Sequence, residues 1–205
     1  MWNWLKSSKT LAITQEPDNA VFETEHNEAT KLKVIVITGT SGSGRKGMAK
    51  KLSADLGIPY ILPYTTRAIR PHEHDGVHYH FISTDQFQSM MEKHVFFQTV
   101  HLERGSYGIS EEELSPSAIV VVNREGAQAF RKHYGNEAIR IFLYVTKDDI
   151  RLRLEREEAP DELVEEYLHN YTEQVVYKKE SEYLLQNIEP AATIEKIKEF
   201  LQDKL

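Results

Sequence analysis

Residues 34 to 56 restrict the fold more than any other stretch of the chain. An apolar, β-branched run, Val34-Ile35-Val36-Ile37-Thr38, passes directly into Gly39-Thr40-Ser41-Gly42-Ser43-Gly44-Arg45-Lys46-Gly47 and then into the helix-compatible Met48-Ala49-Lys50-Lys51-Leu52. A buried strand that ends in a glycine loop and restarts as a helix is the context of a phosphate-binding loop. In the pattern G-x-x-x-x-G-K-[ST], the glycines let backbone N–H groups curl around phosphate oxygens at a helix N-terminus. The lysine reaches the phosphates and the hydroxyl holds Mg²⁺. Gly39 and Gly44 keep this register, but Arg45 stands where the lysine belongs and Lys46 where the hydroxyl belongs. The loop can cradle phosphate while lacking two of the parts that move it.

Beyond the loop, buried and amphipathic segments alternate. A short strand is expected near Tyr60–Leu62, a buried one over Ala118–Asn123 with a helix around Arg124–His133, and a third over Ala138–Thr146. Thr146 and Asp149 have the spacing of a capping box that starts a helix over Asp148–Glu157. Further on, a long helix is expected to about Glu180, a short strand over Tyr183–Leu185 and a C-terminal helix with Ile194, Ile197, Phe200 and Leu201 on one face. This alternation implies right-handed βαβ units around a parallel sheet, an α/β fold.

Residues 67–110 interrupt the rhythm with a basic, turn-rich segment, a strand over Tyr79–Ile82, a Ser83-capped helix from Thr84 to Lys93 and short extended pieces up to Tyr107. They read as a lobe inserted into a core made of 31–66 and 111–205. The acidic stretch 155–166, broken by Pro160, reads as a lid over the phosphate loop. Residues 1–30 are polar and aperiodic and read as a flexible tail, whose Trp2 and Trp4 are candidates for docking on a protein partner.

Composition removes several function classes. The net charge of −7 argues against a nucleic-acid partner. The absence of cysteine excludes disulfides and thiolate metal sites. No apolar run is long enough to span a membrane, and no signal-peptide core is present, so a cytoplasmic protein is expected. His72, His74, His78 and His80 crowd together, and the last two would share one strand face; this permits a zinc reading, but exposed loop histidines are the simpler expectation and no metal is assigned.

Tyr64-Thr65-Thr66-Arg67-Ala68-Ile69-Arg70-Pro71-His72-Glu73-His74-Asp75-Gly76-Val77-His78-Tyr79-His80-Phe81 resembles the guanylate kinase signature T-T-R-x-x-R-x-x-E-x-x-G-x-x-Y-x-F at every fixed position. Gly105-Ser106-Tyr107-Gly108 resembles that family's second GMP-contacting turn. The resemblance runs from about Leu32 to the C-terminus. It implies a P-loop nucleoside monophosphate kinase fold with an inserted GMP-binding lobe. By the same resemblance, Arg67, Arg70, Tyr79 and Tyr107 would grip the GMP phosphate, with Glu73 and Gln98 completing the GMP site. The chemistry agrees, since guanidinium forks bind phosphate oxygens bidentately and phenols add directed donors.

Several positions depart from the family pattern. Gln98 replaces the guanine-reading carboxylate, and Pro63 replaces a guanine-contacting serine. The strand that ends in two aspartates in the family is here Val120-Val121-Val122-Asn123, and the lid arginines correspond to Glu157 and Tyr167. The resemblance therefore leaves three readings. One is an active guanylate kinase using ATP and Mg²⁺, with Arg45 and Asn123 as catalytic substitutes. A second is a nucleotide-binding relative with weakened or lost transfer. The third is an interaction module that presents the same clamp to a phosphorylated peptide.

Overall fold

The computed structural model describes residues 33–114 and 117–205; the tail, with Trp2 and Trp4, lies outside the described residues. Strand β1, Lys33–Gly39, leads through the glycine loop into helix α1, Arg45–Leu56. Short strands β2, Tyr64–Thr65, and β3, His80–Phe81, are followed by α2, Thr84–Glu92, and by the longer β4, Phe96–Leu102, and β5, Gly105–Ser110. The chain then forms β6, Ser117–Val121, α3, Arg124–Tyr134, β7, Ala138–Tyr144, α4, Lys147–Arg156, α5, Asp161–Val176, β8, Tyr183–Gln186, and α6, Pro190–Gln202.

Two four-stranded sheets result. In the first, the order is β6-β1-β7-β8 and every pairing is parallel. Val34, Ile35, Val36 and Ile37 are all fully buried, as a central parallel strand covered on both faces must be. The alternation of side chains along β1 sends Ile35 and Ile37 into one core with Met48 and Leu52 of α1 and Ile194, Ile197 and Leu201 of α6. Val34 and Val36 enter the other, with Val120, Ala127 and Phe130 of the α3 side. The second sheet, β3-β2-β5-β4, is mixed, with β2 parallel to β3 and antiparallel to β5.

Boundaries differ from the sequence expectation where side chains claim the backbone. The strand expected at Tyr60–Leu62 is reduced to one bridge between Tyr60 and Ile119, with Ile61 N donating to the Ile119 carbonyl at 2.9 Å. Pro59 and Pro63 flank it and supply no N–H donors, which prevents the ladder from extending. β6 stops at Val121 because Asn123 turns to cap α3, its Oδ1 accepting from Gly126 N at 3.0 Å. The long helix ends at Val176 and tightens into a 3-10 turn over Tyr177–Glu180.

Both capping boxes form. Ser83 Oγ accepts from Gln86 N, and Thr146 Oγ1 accepts from Asp149 N, each at 3.1 Å, with the reciprocal side-chain bonds present. Helices α4 and α5 make a hairpin with a small core of its own, in which Val145, Ile150 and Leu154 meet Leu163, Val164, Tyr167 and Tyr171. This hairpin lies against the glycine loop. Among the described residues no helix is long and apolar enough to cross a membrane.

Candidate functional site

The glycine loop is anchored from four directions. Thr40 N donates to the Leu143 carbonyl of β7 at 3.0 Å, and Asn187 Nδ2, just after β8, donates to the Ser43 carbonyl at 2.8 Å. Arg153 of α4 donates through Nη1 to the Gly42 carbonyl at 3.0 Å and through Nη2 to the Asn187 carbonyl. Gln174 of α5 completes the set. Ser41 N donates to Gln174 Oε1 at 2.7 Å, and Gln174 Nε2 donates back to Ser41 Oγ at 3.1 Å. One of the loop amides that could face a phosphate oxygen is thus already bound to a side-chain carbonyl. Thr40 Oγ1 and Ser43 Oγ are buried with no hydrogen-bond partner, so polar capacity remains in the loop. Gly44 caps α1, and Gly47 follows in its first turn.

Arg45 and Lys46 leave the start of α1 side by side and both line a cleft of about 210 Å³ between the two sheets. Tyr60, Pro63, Tyr79, Gln98, Tyr107 and Asn123 share that cleft. Lys46 Nζ sits 3.8 Å above the centre of the Tyr79 ring, a cation–π contact between the glycine loop and the lobe. Burial pushes the Lys46 ammonium down to about 7; Glu73 opposes this, while Arg67, Arg45 and Arg70 add to it. Burial also lowers Arg45, offset in part by Tyr79, Tyr167 and Tyr60, and a guanidinium stays charged regardless. Tyr79 is raised by burial to about 12 and keeps its hydroxyl proton for donation.

The paired threonines of the signature are structural. Thr65 Oγ1 donates to the Ser106 carbonyl at 3.0 Å, and Ser106 N donates to Thr66 Oγ1 at 2.9 Å, so the two GMP-type motifs are stitched together. Gly105 is held at φ +148° against Arg67, where a Cβ would lie 2.7 Å from Arg67 N. Only glycine fits there. Tyr79 and Tyr107 consequently meet with ring centres 5.8 Å apart.

Arg67 is nearly buried and forks onto Glu73, with Nη2 at 2.8 and 2.9 Å from the two carboxylate oxygens. Nη1 also donates to the Ala68 carbonyl at 2.6 Å, and its guanidinium carbon lies 5.3 Å from the centre of the Tyr79 ring. Glu73 additionally accepts from Arg70 N at 2.9 Å. Glu73 is therefore placed as the residue that positions Arg67. Burial alone would raise its carboxyl, yet the Arg70 N–H, the Arg67 fork and the Lys46 charge together hold it below the usual carboxylate range. Arg70 lines an adjoining cleft between the lobe and α5, into which Tyr107 also reaches.

The lid residues do not enter the main cleft. Tyr167 packs in the hairpin core beside Gly42, and Glu166 pairs with Arg104 of the lobe at 2.7 Å. Glu162, Glu165 and Glu166 face Arg70 and Arg104 across the adjoining cleft. At the base end of the main cleft, Gln98 Nε2 donates to the Thr99 carbonyl at 2.9 Å, which leaves Oε1 as its acceptor. Among the histidines, His74 N donates to His78 Nδ1 at 3.0 Å and His80 lies against the Tyr64 ring at 4.6 Å.

Comparison with known proteins agrees with this architecture. The family model described as guanylate kinase matches residues 31–204. This chain belongs to the guanylate kinase family. It is 29% identical to the guanylate kinase of Desulfotalea psychrophila, over 77% of this chain and 82% of that one. It is 28% identical to that of Campylobacter jejuni strain RM1221, over 82% and 87%. A crystal structure of guanylate kinase from Anaplasma phagocytophilum shares the fold, with a TM-score of 0.68 at 18% identity, covering 85% of this chain and 86% of that one. The α/β core with a parallel sheet and a second mixed sheet is thus the fold of a P-loop kinase in the guanylate kinase family.

Sequence reasoning missed Gln174, Asn187 and Tyr60 as parts of the site. None lies in a motif, and Gln174 is 133 positions from its partner Ser41. Asn123 lines the cleft as expected of a site residue, and its Oδ1 also accepts from Gly126 N as the cap of α3.

Proposed function

We propose that this family member is a guanylate-kinase-like nucleotide-binding protein whose clamp holds GMP or a related phosphorylated ligand and whose phosphoryl transfer is weakened or lost. The observation that carries this reading is the make-up of the main cleft. It gathers Arg45, Lys46, Tyr79 and Tyr107, all donors suited to an anion, and among the described residues no carboxylate lines it. Transfer from ATP would need a compact ammonium on the donor phosphates, Mg²⁺ and stabilising lid cations. Here both loop cations face the acceptor cleft, Gln174 takes the Ser41 amide, and carboxylates of α5 face the lobe.

GMP and ATP·Mg²⁺ titrated calorimetrically into the intact protein, followed by a coupled ADP-release assay, test the reading. GMP binding with no turnover is expected. Steady ADP release would establish the active guanylate kinase instead, and binding of neither nucleotide would direct the search to phosphorylated peptides.

The double substitution Arg45→Lys with Lys46→Ser restores the family pattern in the loop alone. ADP release is expected to remain at background, because Gln174, Asn123 and the acidic lid are unchanged. A rise of about tenfold or more above background, each tenfold being about 1.4 kcal/mol of barrier, would place the defect in those two residues.

A further inference from the structure

The divalent cation that phosphoryl transfer employs has no suitable ligands in this cleft. Mg²⁺ requires near-octahedral oxygen coordination, commonly from one or two carboxylates together with substrate phosphates. Glu73, the one carboxylate interacting with Lys46, has both oxygens committed to Arg67 and one also to Arg70 N. Asn123 Oδ1 is committed to Gly126 N. The position where the family pattern places a hydroxyl carries an ammonium, which repels a cation. The residues present do not fit the metal.

They do fit a metal's electrostatic role. Lys46 is a half-buried ammonium held over Tyr79, and the groups facing it come from every neighbouring element: Arg45 on α1; Arg67, Arg70, Glu73 and Tyr79 on the segment between β2 and β3; Tyr60 before β2; and Tyr107 on β5. Tyr167 of α5 stands beside Arg45. Arg45, Arg67 and Arg70 act on the Lys46 ammonium against one carboxylate, Glu73, while the α5 glutamates meet Arg70 in the adjoining cleft; a phosphate dianion in the main cleft would offset the remaining positive charge. We propose that Lys46 is a built-in counter-ion of the phosphate clamp, so that the cleft holds a phosphomonoester without a divalent cation. This rests on the reading that the clamp binds a phosphorylated ligand at all.

A consequence separates this role from a merely structural one. With the Lys46 ammonium lowered to about 7 in the free protein, a substantial fraction of it is neutral at mildly alkaline pH. An arriving dianion favours the charged form, so binding must take up a proton. The phosphate itself supplies little of this signal, because its second pKa is about 6 and it is already mostly dianionic at about pH 7.5.

The test is calorimetry of GMP, with inorganic phosphate as a second probe, at about pH 7.5 in buffers of different ionisation enthalpy, once with EDTA and once with Mg²⁺. Expected are affinities equal within about twofold in the two conditions and uptake of roughly half a proton or more per site. In Lys46→Met the uptake should vanish and affinity should fall about ten- to a hundredfold, the range for a lost charge-assisted hydrogen bond. Dependence on Mg²⁺, or binding without proton uptake, overturns the proposal while leaving GMP binding intact. Failure to bind GMP in either condition overturns both this proposal and the function on which it rests. The wild-type measurements decide the matter even where the variant is unstable.

Discussion

Gly39→Ala is expected to destabilise the protein by more than about 4 kcal/mol, a loss at the extreme end of single substitutions. Gly39 ends β1 at φ +144°, where a side chain is strained whatever the space around it. A Cβ would also fall 1.8 Å from the Leu143 carbonyl oxygen. That oxygen cannot move aside cheaply, because it accepts from Thr40 N and belongs to β7, which pairs with β1 through Gly39↔Leu143. Relief would require breaking the central pairing next to the loop. Urea unfolding of the variant checks this. A loss below about 1 kcal/mol, the size of an ordinary surface effect, would show that the loop relaxes and that this close approach does not hold the site in place.

Arg67→Met should have the second largest effect and should act on both stability and binding. Side-chain exposure is only 6% for Arg67 and 13% for Glu73, so the pair is desolvated, with one guanidinium nitrogen donating to both carboxylate oxygens. Removing the arginine leaves a largely buried carboxylate with only the Arg70 N–H and the Lys46 charge to compensate it, a change that costs up to about 3–5 kcal/mol in comparable buried pairs. Phosphate affinity should fall about a hundredfold, as when a hydrogen-bonded charge pair loses one member.

The pH dependence carries a definite sign. In the wild type Glu73 has a folded-state pKa below its unfolded value. Its contribution to stability is therefore fully present above the ordinary carboxylate range of about 4.3 and is lost as pH falls through the depressed folded value. In Arg67→Met the share of that depression owed to the arginine is lost while the Arg70 N–H and Lys46 still favour the carboxylate, so acidification should lose less stability than in the wild type. Unfolding curves collected between about pH 3 and pH 7 compare the two proteins. A parallel fall in both would mean that the fork contributes nothing to the carboxylate's titration. Glu73→Gln serves as the partner variant, keeping shape while removing the charge that orients Arg67.

The order of importance within the site follows from this packing. Tyr79 is the residue on which the two halves converge, with Lys46 on its ring at 3.8 Å and the Arg67 guanidinium at 5.3 Å. A phosphate held by its hydroxyl would be bordered by cations from the glycine loop and from the signature segment. Among the described residues the α4–α5 hairpin lines the main cleft with no cation. Arg153 donates to loop carbonyls, and the acidic face of α5 turns to Arg104 and Arg70.

Much of this was legible in the chain because it depends on short-range rules. The β-branched run before Gly39 could only be a buried strand. Ser83 as a cap, and Thr146 with Asp149, announced two helix starts through the reach of a single side chain. The stretch from Thr65 to Phe81 carried the family resemblance, and that resemblance singled out Arg67, Arg70 and Tyr79. Two boundaries were misread because prolines without N–H donors and a capping asparagine outweighed apolar pattern, at Tyr60 and at Asn123. The direction of long side chains had no such local signal. Lys46 reads in sequence as a misplaced hydroxyl and becomes, in the fold, a desolvated ammonium on Tyr79. Gln174 reads as an ordinary polar position of a helix and becomes the partner of Ser41. Those roles arise from how α1, α5 and the lobe pack, since burial sets the cost of each charge and packing alone brings residues far apart in the chain within hydrogen-bond reach.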